Sequence, residues 1–215
     1  MKRILIPLLC SLLAAWSCNV DSSFSTMNTQ DMVTVSGGKL LNDNGVLYTL
    51  SQKAADTPAL EEGKRYYIIF DILDKNYNVF VNTVIPAEIV VPTAASAEES
   101  ITAHDPLVVQ FNWIGPKYLD LSFSYFYKEG SDCAHAIFAR YSLSDDKKTL
   151  NLSVYHDGND ENPATLDEKD LKHEVRIVSI PISDWSPSVV TLTLDVLSQN
   201  DEGKYTVERL TYSTK

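Results

Sequence analysis

Apolar and polar residues alternate along many short segments of this 215-residue chain, and this period of two restricts the fold more than any other feature of the sequence. The clearest segment, Tyr118–Phe126, places Leu119, Leu121, Phe123 and Tyr125 on one face of an extended strand and Asp120, Ser122 and Ser124 on the other. Such alternation is typical of a half-buried antiparallel strand. In the C-terminal half only Asp167–Lys172 has the pattern of a helical turn. The sequence therefore predicts an all-β fold.

The strand candidates before residue 95 form the first of two groups. Lys39–Asn42 and Val46–Leu50 flank the turn Asp43–Gly45, whose Asn and Gly tolerate positive φ and so favour a hairpin. About five strands fall in residues 30–95. That number is small enough to close into a compact barrel.

The second group of strand candidates lies in residues 96–215. About seven short strands, from Leu107–Trp113 to Tyr205–Tyr212, are separated by turns such as Gln199–Gly203. This pattern predicts an antiparallel β-sandwich. Between the groups, Pro92–Glu99 lacks bulky apolar residues and predicts a linker or one short helix, with the boundary near Ser96.

The first eighteen residues predict export. Lys2 and Arg3 precede the apolar run Ile4–Leu13, and small residues precede Cys18, as in a secretory signal peptide. The apolar run is too short to span a bilayer, which needs about 20 residues. A cysteine at this place resembles the bacterial lipobox, in which removal of residues 1–17 would leave Cys18 as a lipid-modified N-terminus.

Charge and composition indicate how the mature chain meets its surroundings. Residues 18–29 are rich in Ser, Thr and Asn and predict a flexible tether. Loss of Lys2 and Arg3 leaves 16 basic against 29 acidic residues, a formal charge of −13. Because nucleic-acid affinity depends on Lys and Arg, we expect no nucleic-acid partner. We expect a lipid-anchored protein of the cell envelope, at the outer membrane, on a face that the sequence leaves open.

Several phrases of the sequence resemble one family, the NigD-like lipoproteins of Bacteroidetes. Asp105–Leu107 leads to Asn112–Gly115 and then to Tyr118–Phe123, and a similar phrase opens the C-terminal domain of that family. The turn Glu62–Arg65 before a long apolar strand, and the strand Leu150–Asp157, are similar to further parts of the family.

The resemblance implies a lipoprotein signal, a small OB-like barrel and a C-terminal β-sandwich. It also implies an immunity-type binding role, with a bacteriocin or an envelope protein as partner. No catalytic residues or cofactor come with the family. We therefore expect no enzymatic activity, no cofactor, and a binding surface whose residues the sequence leaves unassigned.

Candidate metal ligands are densest in one acidic loop. Asp157, Asn159, Asp160 and Glu161 offer oxygen atoms to Ca²⁺, although the EF-hand order is absent and a solvated turn accounts for the same residues. The four histidines show no zinc spacing; they are His104, His135, His156 and His173. We expect no metal, with Ca²⁺ at this loop as the alternative, and we expect Cys133 to be a free, at least half-buried thiol.

Aromatic residues cluster in one stretch of the second unit: Trp113, Tyr118, Phe123, Tyr125, Phe126 and Tyr127. We expect most of these rings to fill the sandwich core. If some are exposed, they could stack on sugar rings, so a carbohydrate-binding surface lipoprotein is the alternative function. Phe126 and Trp185 are the first rings to inspect for exposure.

The lipobox prediction is tested by mass spectrometry of the protein purified from its native membrane. The N-terminal peptide should begin at Cys18 and carry the mass of a diacylglyceryl group and further acyl chains. Cys18→Ser should release the protein from the membrane, because the acyl chains hold it there. An unmodified N-terminus at Asn19 or Val20 would contradict lipidation.

Overall fold

The computed structural model describes residues 25–95, 105–128, 135–158, 171–199 and 205–213, and these ranges contain strands and no helix. Their bounds are β1 Thr26–Ser36, β2 Lys39–Asn42, β3 Leu47–Lys53, β4 Arg65–Ile72, β5 Asn78–Ile89, β6 Thr93–Ala94, β7 Val108–Ile114, β8 Tyr118–Lys128, β9 Ala136–Leu143, β10 Thr149–Asp157, β11 Leu171–Pro181, β12 Val189–Gln199 and β13 Tyr205–Ser213. The predicted all-β fold is confirmed. Over the same ranges, no helix has the length and apolarity needed to cross a membrane.

Strands β1 to β5 close into a barrel. β1 pairs with β2 and β4, β2 with β3, and β4 with β5, all antiparallel, and the parallel pairing of β3 with β5 completes the ring. This is the OB-like barrel that the resemblance implies. Alternate apolar side chains fill it, among them Val33, Leu40, Ile68, Phe70, Val79 and Val81. β1 begins at Thr26, so residues 26–29 of the predicted tether are strand.

The second unit is a sandwich of two sheets. β11, β8 and β7 continue the barrel sheet, and they pack on a sheet of order β13-β12-β10-β9-β6. The seven strands predicted here appear as β7 to β13. Most pairings are antiparallel, but β10 pairs with β12 and β6 with β9 in parallel. The core between the sheets includes Leu119, Leu121, Phe123, Leu150, Leu152, Val178, Ile180 and Leu192.

Two short segments differ from their predictions. Thr93–Ala94, inside the predicted linker or helix, form β6 and pair with β9. β11 begins at Leu171, so the last two residues of the predicted helical turn are strand. Residues 96–99 and 167–170 lie outside the described ranges. In both places pairing with a neighbouring strand, which a local pattern does not show, overrides the local preference.

The barrel and the sandwich share one sheet. β5 leaves the barrel and pairs in parallel with β11 through Ala87, Glu88 and Ile89. Val90, directly after β5, is buried in the sandwich core. The two units are thus joined by backbone hydrogen bonds, and the domain division at residue 95 stays a prediction.

β8 is buried on both faces, so the prediction of a half-buried strand is wrong for it. Asp120, Ser122 and Ser124, on the polar face, are 1%, 1% and 6% exposed. Polar side chains meet them there: Arg65 of the barrel donates to Asp120, and Ser122 Oγ donates to Gln110 Oε1 at 3.1 Å. The polar face is an internal contact, because buried polar groups need such partners.

Arg65, the first residue of β4, joins the two units. Its guanidinium donates to the Asp43 carboxylate at 2.8 and 2.7 Å and to the Asp120 carboxylate at 2.7 and 3.2 Å. Nε also donates to Ser179 Oγ at 2.8 Å, and the guanidinium carbon lies 4.1 Å from the centre of the Tyr118 ring. One fully buried cation therefore fixes a barrel turn, β4, β8 and β11 together.

Replacing this cation should destabilise the fold strongly. Arg65→Ala leaves the buried Asp120 and the nearly buried Asp43 without their shared partner, and we expect the free energy of unfolding to fall by about 3–5 kcal/mol. Urea denaturation of the mature chain measures it. The matched control is Arg209→Ala. The Arg209 side chain is 58% exposed and forms an ion pair with Asp195 at 2.8 Å. Its loss should lower the free energy of unfolding by about 0–1 kcal/mol. Equal losses in the two variants would contradict the role of Arg65.

Candidate functional site

A groove of about 550 Å³ lies where the barrel meets the sandwich. Its walls come from the segment before β4, the start of β4, the end of β5 and the middle of β11. The apolar part of the lining is Pro58, Ala59, Ile85, Pro86, Ala87, Val175 and Ile177. The charged part is Glu61, Lys64, Arg65, Glu88, Glu174 and Arg176. A concave surface that combines apolar side chains with charged groups is a candidate binding site.

The groove exists because two paired strands diverge. β5 and β11 pair only at Ala87–Ile89 and Ile177–Ser179. Before these positions β5 runs along β4 inside the barrel, whereas β11 runs along β8 in the sandwich. Pro86 has no N–H group to donate to an extended pairing. The wedge between the two strands is the groove.

An ion pair on β11 forms part of the rim. Arg176 Nε donates to Glu174 Oε1 at 2.9 Å, and the two side chains are 32% and 47% exposed. The hydrogen bond from Arg176 is the main cause that lowers the pKa of Glu174. Arg176 also reaches inward, since it donates to the His135 carbonyl at 3.3 Å and lies 5.1 Å from the centre of the Tyr125 ring.

Three stacked rings lie behind this ion pair. The centroids of Tyr125 and His135 are 4.3 Å apart, and those of His135 and His156 are 5.1 Å apart. His135 Nδ1 and His156 Nε2 share a hydrogen bond of 2.9 Å. Burial, followed by the nearby His135, lowers the pKa of His156 to about 4. Burial, with the hydrogen bond to Glu174, raises the pKa of Tyr125 to about 12. Tyr125 and His156 are both buried, so the stack is part of the interior of the second unit.

Gly158 packs tightly beside this stack. A Cβ atom at this position would lie 3.0 Å from both histidine rings. Its N–H group donates to the Asp105 carboxylate at 2.7 Å. The contact ties the end of β10 to Asp105, the first residue of the phrase that resembles the NigD-like family.

A second surface is shallower and aromatic. A depression of about 250 Å³ is lined by Gln30, Tyr67, Phe111, Asn112 and Trp113. The rings of Tyr67 and Phe111 are 5.4 Å apart, and Trp113 is 40% exposed. We call these five residues the aromatic surface.

The other aromatic residues lie deeper. Phe123 and Tyr125 are buried, as expected for a sandwich core. Phe126 is half-buried, with its ring 6.3 Å from that of His173. Trp185 is half-buried and packs on Tyr141 at 4.5 Å. Within the aromatic stretch of the second unit, the exposed ring is therefore Trp113, whereas Phe126 and Trp185, which were singled out from the sequence, are half-buried.

Most other residues singled out from the sequence fall outside the described ranges. Asp157 ends β10, whereas Asn159, Asp160 and Glu161 are not among the described residues, and the Ca²⁺ alternative stays a prediction. The lipidation residue Cys18 and the thiol Cys133 are also outside them. Among the residues that the structure does describe, no three His, Cys, Asp or Glu side chains are grouped to hold a metal ion.

The histidine stack makes stability depend on pH. His156 is neutral in the fold, with a pKa of about 4, but has its ordinary pKa of about 6.5 when unfolded. The unfolded chain thus binds a proton that the folded chain excludes, and stability is lost as the pH falls from about 6.5 towards 4, by up to about 3 kcal/mol. Urea denaturation at pH 7.5 and 4.5 measures this loss. His156→Phe should abolish most of it, whereas His173→Phe, at an exposed histidine, should keep it; the opposite pattern would contradict the assignment.

Solved proteins from Bacteroides species share this fold. No protein-family model and no curated protein matches the chain. A solved protein of unknown function from Bacteroides vulgatus is 16% identical, with a TM-score of 0.59 over 86% of this chain and 90% of that one. A NigD-like immunity protein from Bacteroides caccae is 16% identical, with a TM-score of 0.55 over 89% and 97%. A candidate lipoprotein from Bacteroides fragilis is 13% identical, with a TM-score of 0.58 over 87% and 97%.

TM-scores of 0.55 to 0.59 show a shared fold, whereas identities of 13% to 16% do not show a shared function. The matches cover most of each chain, so a barrel followed by a sandwich is an arrangement that these proteins share as a whole. This chain therefore has the fold of a NigD-like immunity protein, and the fold implied by its sequence resemblance is confirmed.

Proposed function

We propose that this chain is a lipid-anchored protein of the bacterial cell envelope that binds another protein and has no enzymatic activity. The observation that carries the proposal is the groove at the junction of barrel and sandwich. Its lining combines exposed apolar side chains with charged ones, and protein–protein contacts combine apolar and polar groups in this way.

Two further observations support a binding role. Both arginines of the groove lining are engaged in structural contacts, since Arg65 binds Asp43 and Asp120 and Arg176 binds Glu174. The chain also shares its fold with a NigD-like immunity protein. An immunity-type role, in which a bacteriocin or an envelope protein is the partner, is consistent with both.

Crosslinking in the native envelope tests this function. The full chain, with its signal and Cys18, is expressed in its own host, crosslinked and purified, and the captured proteins are identified. Glu88→Lys reverses one exposed charge of the groove rim and should reduce capture of a genuine partner at least fivefold. Asp145→Lys makes the same charge change in the exposed β9–β10 turn and should leave capture unchanged. The proposal would be contradicted if Glu88→Lys left capture unchanged and deletion of the gene did not alter the sensitivity of the host to toxins.

A carbohydrate-binding role is the second candidate, and the aromatic surface favours it. Trp113 is 40% exposed beside the Tyr67–Phe111 pair, with the amides of Gln30 and Asn112 at the edge. An exposed indole ring offers an apolar face on which a sugar ring can stack, and amides can bind hydroxyl groups.

A glycan array probed with the mature chain tests the carbohydrate role. Trp113→Ala should weaken binding of any glycan detected at least tenfold, which corresponds to about 1.4 kcal/mol. Trp185→Phe, at a half-buried ring that packs on Tyr141, is the control and should leave affinity unchanged. An array without hits would remove the carbohydrate role and leave protein binding as the proposal.

A further inference from the structure

We infer that the groove binds an extended peptide segment of its partner by strand addition to β11, with a segment that is apolar on one face and basic on the other. This inference rests on the proposed protein-binding function and deepens it. It names the mode of binding and the chemistry of the segment.

The first observation is an open strand edge. One edge of β11 pairs with β8 along its whole length, from Leu171 to Pro181. Its other edge pairs with β5 only from Ile177 onward, and no described strand pairs with that edge over Glu174–Arg176. Backbone N–H and C=O groups of an open edge are a template for another strand.

The second observation is that this edge faces the groove. Glu174, Val175, Arg176 and Ile177 are all part of the groove lining. The opposite wall is β5, which has turned away into the barrel and carries Pro86 at this point. The space between Pro86 and β11 is therefore left open by β5, and an additional strand could lie there.

Successive residues of an added strand would meet different surroundings, because side chains alternate across a sheet. Val175 is 41% exposed, and together with Ile85, Pro58 and Ala59 it belongs to the apolar part of the groove lining. On the other face, Glu174 and Arg176 form an ion pair, and Arg176 also lies against the Tyr125 ring. An alternating segment, apolar towards Val175 and polar on the other side, matches the two faces.

The charge of the groove indicates which polar residues the segment should carry. Of the charged lining groups, Glu61, Glu88 and Glu174 are acidic and Lys64 and Arg176 are basic, while Arg65 is neutralised by the Asp43 and Asp120 carboxylates. The rim is net acidic, and the mature chain carries a formal charge of −13. Lysine or arginine at the polar positions of the segment is therefore favoured, and attraction to the acidic chain would speed association.

The test uses a labelled eight-residue peptide of alternating Val and Lys, titrated with the mature chain and followed by fluorescence anisotropy. We expect saturable binding, and slower amide hydrogen exchange at Glu174–Arg176 in the complex. A peptide of the same composition with four Val followed by four Lys should bind at least tenfold more weakly. N-methylation of alternate peptide nitrogens along one edge should abolish binding, because it removes the hydrogen bonds that strand addition needs.

Two matched variants locate the site. Val175→Lys places a cation on the open edge and should weaken binding at least tenfold. Val207→Lys adds the same charge at a residue of β13 that is 44% exposed, and should change affinity less than twofold. Equal effects of the two variants would mean that the peptide is held only by general attraction to an acidic chain, and would overturn the inference. The inference would also be overturned if binding were not saturable, or if the block peptide bound as tightly as the alternating peptide.

The envelope crosslinking experiment separates this inference from the function on which it rests. A partner that is lost with Glu88→Lys but retained with Val175→Lys would leave protein binding standing and overturn strand addition. A partner lost with both variants, together with the peptide results, supports both.

Discussion

The buried guanidinium of Arg65 is the interaction on which the arrangement of the two units depends. It places one cation between the Asp43 and Asp120 carboxylates, one from a barrel turn and one from the sandwich. A buried charge has lost its water, and leaving it without a carboxylate partner would be costly. Arg65 reaches both carboxylates only when the barrel and the sandwich meet in one orientation. Tyr118 stacks on the same group, and a Cβ at Gly115 would lie 3.1 Å from Asp43.

The candidate binding groove follows from this joint. β5 passes from the barrel into the sandwich at Ala87–Ile89, directly beside the pairing of Arg65 with Ala87. Because the two units are fixed there, the strands that diverge from this point keep a constant wedge between them. Part of the rim is held as well, since Arg176 is bound to Glu174, to the His135 carbonyl and to the Tyr125 ring. A groove of fixed shape loses less entropy on binding than a mobile one.

The sequence phrases that resemble the NigD-like family meet in space. Arg65 closes the first phrase, whereas Gly115, Tyr118 and Asp120 belong to the phrase that opens the second unit. The phrases were readable from the sequence, but their contact was not, because Arg65 and Asp120 are 55 residues apart. The same limit applies to β8, whose polar face suggested solvent and is an internal contact. The histidine stack was also hidden, since His135 and His156 are 21 residues apart and show no metal spacing.

The sequence by itself determined the all-β class, every strand except the short β6, and the hairpin at Asp43–Gly45. These features follow from side-chain alternation and turn chemistry, which act over a few residues and can therefore be recognised in the sequence alone. Only the tertiary structure decided that the two units share a sheet, that Arg65 is fully buried and that β11 leaves an open edge in the groove. Those features depend on which distant strands pair, and strand pairing is set by contacts summed over the whole chain, which no local pattern contains.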